Sequence, residues 1–175
     1  MKRIICFAIV AVITVVNAYA NTIIENTGWE LLAAGTRGNG KVETISRDGK
    51  PVMVMTLTRD RDGNTYATAL LSVDLKVSSE DKLQFTCKGL PANGNASLCV
   101  TLAVEGTPEW KSYTGTAISI NKELPENCVQ LLGKDFGIAS GTSVTIKQIK
   151  FIINNTNETT GHQAKIEITD LETCK

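Results

Sequence analysis

The chain has 175 residues, 42% of them apolar, and its 18 Lys and Arg balance 18 Asp and Glu to a formal charge of zero. With no basic stripe, that balance excludes the electrostatic footprint of a nucleic-acid binder. The single histidine, His162, leaves zinc without its usual ligands and gives no basis for a histidine-centred triad.

Residues 1–20 read MKRIICFAIVAVITVVNAYA. Lys2 and Arg3 form a positive start, residues 4–16 an apolar run, and Ala18-Tyr19-Ala20 a small-x-small cleavage site. The apolar run is shorter than the roughly 20 residues a membrane span needs. The pattern is a secretory signal peptide, which places the mature protein, from Asn21, outside the cytoplasm as an extracellular or periplasmic protein. Residues 21–175 suit one domain with a real core. Without Lys2 and Arg3, sixteen basic residues face eighteen acidic ones.

In chain order, residues 21–25 are expected as a first edge strand, followed by Gly28-Trp29, with Trp29 read as core. A short strand at 41–46 leads into the turn Arg47-Asp48-Gly49-Lys50, where Asp-Gly suits positive φ. Residues 52–58, VMVMTLT, are apolar on both faces, as a central strand should be. A polar hairpin loop at 59–64 follows; it fails the EF-hand pattern because the twelfth position from Asp60 is Leu71. Then comes the longest alternation in the chain. Ala67, Ala69, Leu71, Val73, Leu75 and Val77 share one face, and Tyr66, Thr68, Ser72, Asp74 and Lys76 share the other, wet one.

Two further strands, 82–88 and 97–104, flank a Gly/Pro/Asn loop. A loop at 107–115 carries Glu109, Trp110, Lys111 and Tyr113, and short strands follow at 116–120 and 128–132. A loop with Asp135, Phe136 and Gly137 opens into a β-branched strand ending near Asn154. Val144 and Ile146 point one way along it; Ile149, Phe151 and Ile153 need the other parity. A period-2 strand that switches face requires an extra residue, so a β-bulge is expected near Lys147–Gln148. Residues 164–171 close the chain. Eight to ten strands joined by turn-rich links, with no helical pattern and no repeat, predict an all-β fold: an antiparallel β-sandwich of jelly-roll type.

Four cysteines lie in the expected mature chain: Cys87, Cys99, Cys128 and Cys174. An even number in an exported chain predicts two disulfides, with three pairings open. Spacing makes Cys87–Cys99 natural, yet parity opposes it. Cys87 shares a face with Leu83 and Phe85, whereas Cys99 lies opposite Leu98, Val100 and Leu102.

The stretches IIENTGWEL, LLSVDLKVSSEDKLQFTCKGL, GKDFGIASGTSVTIKQIKFIINN and AKIEITDLE together resemble the galactose-binding-like jelly rolls, which include carbohydrate-binding modules of secreted glycan-degrading systems. The resemblance covers most of the mature chain. It implies a non-catalytic, glycan-binding module, and it implies that Glu25 and Asp170 share a structural calcium, joined by carbonyls of the turn at 47–49. Sugar binding uses flat aromatic faces against pyranose C–H faces and polar groups for the hydroxyls. Trp110 and Tyr113, with Glu109 and Lys111 beside them, are one candidate site. The wet face headed by Tyr66 and Asp74 is another. An alternative of a different class is a structural or adhesive protein–protein module with the same fold and no sugar site; the nine aromatics of the chain favour it.

Overall fold

The computed structural model describes residues 22–59, 65–90, 96–106, 112–120, 127–155 and 160–175. The expected signal peptide lies outside these residues, as do the hairpin tip at 60–64 and the candidate side chains Glu109, Trp110 and Lys111.

Twelve strands are present among the described residues, with one 3-10 turn (Ala33–Gly35). They are β1 (Thr22–Ile23), β2 (Glu30–Leu31), β3 (Asn39–Arg47), β4 (Lys50–Thr58), β5 (Thr65–Ser78), β6 (Lys82–Leu90), β7 (Ala96–Val104), β8 (Tyr113–Thr114), β9 (Ile118–Ser119), β10 (Asn127–Leu131), β11 (Ser143–Asn155) and β12 (Gln163–Cys174). Sheet A runs β10-β6-β12-β4-β3, with β1 also on β12; sheet B runs β2-β5-β11-β7-β8, with β9 also on β7. Every pairing is antiparallel. The chain passes between the sheets at most connections, as a jelly roll requires.

The core lies between the inner faces. β4 contributes Met53, Met55 and Leu57; β12 contributes Ala164, Ile166 and Ile168; β11 contributes Ile149, Phe151 and Ile153. The ring of Phe151 meets Trp29 at 5.2 Å and Phe85 edge-on at 5.0 Å, so the three rings join the two sheets. Leu71, Phe85, Val100, Leu102, Phe151 and Ile153 are buried as their alternation requires. Val73 and Leu75 are partly buried and pack against that cluster.

Two local devices shape the sheets. The turn between β3 and β4 has Asp48 and Gly49 at φ 52° and 76°, the primed geometry that closes a two-residue hairpin. The register of β11 slips between Ile146 and Gln148 against both neighbours, where the parity switch demands it. Ile146 and Ile149 thereby both face the core, and Lys147 reaches Asp74 at 2.9 Å.

A second slip, not anticipated, interrupts the central strand of sheet A. The pairing of β12 with β6 shifts between Thr169 and Glu172, and Asp170 takes φ 50°. Past this bulge the strand continues to Cys174, beyond the expected end at 171.

Candidate functional site

The first surface is the outer face of sheet B. The register stacks its side chains in rows across three strands: Tyr66 with Asn154 and Ser97, Thr68 with Ile152 and Cys99, and Leu70 with Lys150 and Thr101. Tyr66, Asn154 and Ser97 are half-buried. This face is drier than its sequence suggests. Thr68 is only 4% exposed because the 3-10 turn folds against it, and its hydroxyl donates to the Gly35 carbonyl at 2.6 Å. Lys150 and Thr101 are buried as well. Asp74 is exposed at the far end of the face, paired with Lys147. Eight residues of extended chain separate it from Tyr66, about 25 Å, so the two flank the face rather than meet.

Tyr113 stands on the other side of this sheet. Its partner across the ladder is Leu102, an inward residue, and its ring packs partly buried against the core. The neighbouring Thr114 points outward, with its hydroxyl 3.4 Å from that of Thr101. The structure therefore does not bring Tyr113 and Tyr66 to one face.

The second surface surrounds the bulge in β12. Three clefts adjoin Asp170, of about 330, 250 and 440 Å³. The first lies over Val52, Thr86 and Thr169, beneath the β3–β4 turn. At its wall, both guanidinium Nη atoms of Arg47 donate to Glu167, at 2.7 and 3.1 Å. Lys50 Nζ donates to Asp170 Oδ1 at 2.9 Å, and the Thr169 hydroxyl donates to Oδ2 at 3.0 Å. The hydrogen bond from Arg47 holds the Glu167 carboxyl below the usual carboxylate range, and that from Lys50 does the same for Asp170. This cleft was invisible to periodicity, because its polar residues read as an ordinary solvated face; the signal for the bulge was the passage from Ile168 to Leu171 on the inner side.

Glu25 and Asp170, the expected calcium pair, line one cleft together with Lys50. Their donor set does not fit a divalent cation as it stands, because the Lys50 ammonium already occupies Asp170 and would repel the ion. Among the described residues no group of three His, Cys, Asp or Glu side chains converges on a point.

The four cysteines distribute over three surfaces, and no disulfide joins any two of them in this structure, against the expectation of two. Cys87 and Cys128 are buried on the inner face of sheet A, diagonal across β6 and β10. Burial, followed by the charge of the nearby Cys128, pushes the Cys87 thiol up to about 12. Cys99 lies on the outer face of sheet B, with its sulfur 3.4 Å from the Gly115 carbonyl. Cys174 lies on the outer face of sheet A beside Gln84. The faces of Cys87 and Cys99 are those their parity assigns.

No protein-family model and no curated protein sequence matches the chain. Solved structures do match its fold. A carbohydrate-binding module from the β-sandwich superfamily, studied for its promiscuous specificity, superposes with a TM-score of 0.58 at 16% identity, over 85% of this chain and 57% of that one. The chain thus spans little more than half of that structure. The family 11 carbohydrate-binding module from Clostridium thermocellum, in complex with a β-1,3-1,4-mixed-linked tetrasaccharide, superposes with a TM-score of 0.55 at 14% identity, over 87% of this chain and 94% of that one. The same family's module of the cellulosomal cellulase Lic26A-Cel5E gives 0.55 at 16%, over 89% and 95%. The chain has the β-sandwich jelly roll of carbohydrate-binding modules; at these identities the likeness shows the fold.

Proposed function

We propose that this protein is an exported, non-catalytic carbohydrate-binding module that takes a glycan on the outer face of sheet B. The observation that carries the reading is the row of Tyr66, Asn154 and Ser97, which sets an aromatic ring, an amide and a hydroxyl side by side across three strands. A pyranose stacks its C–H face on such a ring, and the amide and hydroxyl meet its hydroxyl groups. Trp110, with Glu109 and Lys111, remains the other candidate for the same class of ligand, and Trp110→Ala tests it separately. The family 11 neighbour, solved with a mixed-linked tetrasaccharide, supports a β-glucan as the first ligand to try.

A shallow face of this kind binds in the micromolar to millimolar range, roughly −8 to −4 kcal/mol. A glycan array of the mature protein, run with calcium and with chelator, tests the reading. Tyr66→Ala is expected to weaken binding about tenfold or more, with the melting temperature held. An array on which nothing is retained, or binding indifferent to both Tyr66→Ala and Trp110→Ala, defeats it. The adhesive alternative has one observation in its favour: Val129 and Leu131 are 52% and 36% exposed on β10, at the end of sheet A. A silent array together with concentration-dependent assembly lost in Val129→Lys decides for that reading.

A further inference from the structure

We propose that the cleft beside the β12 bulge is a second, separate binding site, on the opposite sheet from Tyr66, and that it takes a neutral, hydroxyl-rich saccharide. The proposal rests on the reading above for the class of ligand; the geometry that carries it is independent.

Asp170 is a non-glycine residue at φ 50° in the middle of a sheet, where a left-handed conformation is costly. The bulge it belongs to breaks the ladder of the central strand instead of an edge. Bulges re-aim side chains and are concentrated beside functional sites. Here the bulge opens the surface: the clefts of about 330 and 250 Å³ share Asp170 and Thr86 and form one groove. It crosses β4, β12, β6 and β10, a path of about 14 Å at the usual strand spacing, long enough for an oligosaccharide.

The chemistry of the lining then selects the ligand. Arg47, Lys50 and Lys88 face Asp48, Glu167 and Asp170 in the larger cleft, three cations against three acids. The larger cleft thus sums to zero, and Glu172 in the smaller one leaves the groove a single net acid, so an anion gains nothing by entering and a cation gains little. Directed donors and acceptors are what remain. The Arg47–Glu167 and Lys50–Asp170 pairs hold each other in place, and each ionised group keeps further hydrogen-bonding capacity. Thr86 and Thr169 add hydroxyls, and Val52, 2% exposed, closes the floor, over which the aliphatic stems of Arg47, Lys50 and Lys88 supply apolar surface. Preformed donor–acceptor pairs over an apolar floor suit vicinal hydroxyls on a ring whose C–H edges rest below. Lys88 is exposed and has no carboxylate partner among the described residues, which leaves its three donors for the ligand.

Residue-resolved NMR titration of the intact protein separates this site from the Tyr66 face. The neutral probes are oligomers of mixed-linked β-glucan, β-1,4-galactan and β-1,4-xylan; the charged controls are oligomers of galacturonate and of glucosamine. A neutral probe is expected to shift the amides of Thr86, Thr169 and Asp170 as a group, with its own titration curve. That affinity should hold within about twofold when ionic strength rises from about 0.05 to 0.5 M, because no net charge is matched. The double variant Thr86→Val, Thr169→Val should weaken this site about tenfold, with unchanged melting and unchanged shifts around Tyr66. Shifts confined to the Tyr66 surroundings overturn the second site and leave the first. A stronger response to either charged oligomer, with a steep salt dependence, overturns the neutral class. Silence of all amides with every probe removes both proposals.

Discussion

Asn26 is 3% exposed and joins three separate stretches of chain. Its Nδ2 donates to the Ile168 carbonyl at 2.6 Å and to the Pro51 carbonyl at 3.2 Å, and its Oδ1 accepts from Trp29 Nε1 at 2.5 Å. One side chain thus ties the entry of the chain to β12 and β4 and fixes the ring that packs on Phe151. Asn26→Ala removes a partner from a buried indole N–H and from two carbonyls, and an unsatisfied buried group costs about 1–3 kcal/mol. Leu71→Ala, which removes packed core volume, is expected to cost about 2–5 kcal/mol; Lys76→Ala, on the exposed side of the same strand, about 0.5 or less. Urea unfolding of the three variants measures the order. Comparable small losses at all three would mean that Asn26 and Leu71 are not the interior residues their positions make them. Leu71 was legible from alternation alone. Asn26 was not: in the string Glu25-Asn26-Thr27-Gly28 an asparagine reads as a turn residue, and its partners lie 25 and 142 positions away.

At the scale of the element, the two bulges show what periodicity can and cannot deliver. In β11 five β-branched or aromatic residues mark both faces, so the change of parity between Ile146 and Ile149 is plain in the sequence. In β12 the same change between Ile168 and Leu171 is followed by one apolar residue, then Thr173 and Cys174, and the alternation reads as ending there. The bulge in β11 has a sharp consequence. Deleting Lys147 would restore strict alternation with Ile146, Ile149, Phe151 and Ile153 all on the core face, so parity is tested by deleting Lys150, which sets Ile149 against Phe151 and Ile153 and forces one or the other out of the core. Such a deletion is expected to abolish folding, whereas Lys147→Ala, which removes only the exposed pair with Asp74, should fold normally. Circular dichroism with cooperative melting distinguishes them; a Lys150 deletion variant that melts like the parent would show that the facing of β11 is dispensable. The candidate site divides along the same line. Tyr66 on a solvent-side row was legible, because period 2 names the face. The inward turn of Tyr113 was not, since a two-residue strand in a loop offers no alternation to count.

Across the whole molecule, the sandwich sorts its thiols by depth, and that sorting reports how the two sheets hold together. Cys174 and Cys99 are half-buried on the outer faces of sheets A and B, while Cys87 and Cys128 lie between the sheets at 1% and 4% exposure. Burial raises the thiol pKa of Cys99 and of Cys128, and it drives Cys87, with help from Cys128, up to about 12. Only the thiolate attacks an alkylating reagent, so the interior pair is protected twice, by access and by protonation. With reductant present to keep every thiol reduced, iodoacetamide should label Cys174 first and Cys99 next. Cys87 and Cys128 should react only as fast as the sandwich opens globally. Peptide mapping of a labelling time course reads this out, with urea added in steps below the transition. Interior labelling that rises in proportion to the unfolded fraction identifies one cooperative unit. If Cys128 is labelled in native protein while Cys87 stays protected, β10 leaves β6 by local opening. The end strand of sheet A, which exposes Val129 and Leu131, would then be the least stable part of the fold and the natural place for a protein partner to dock.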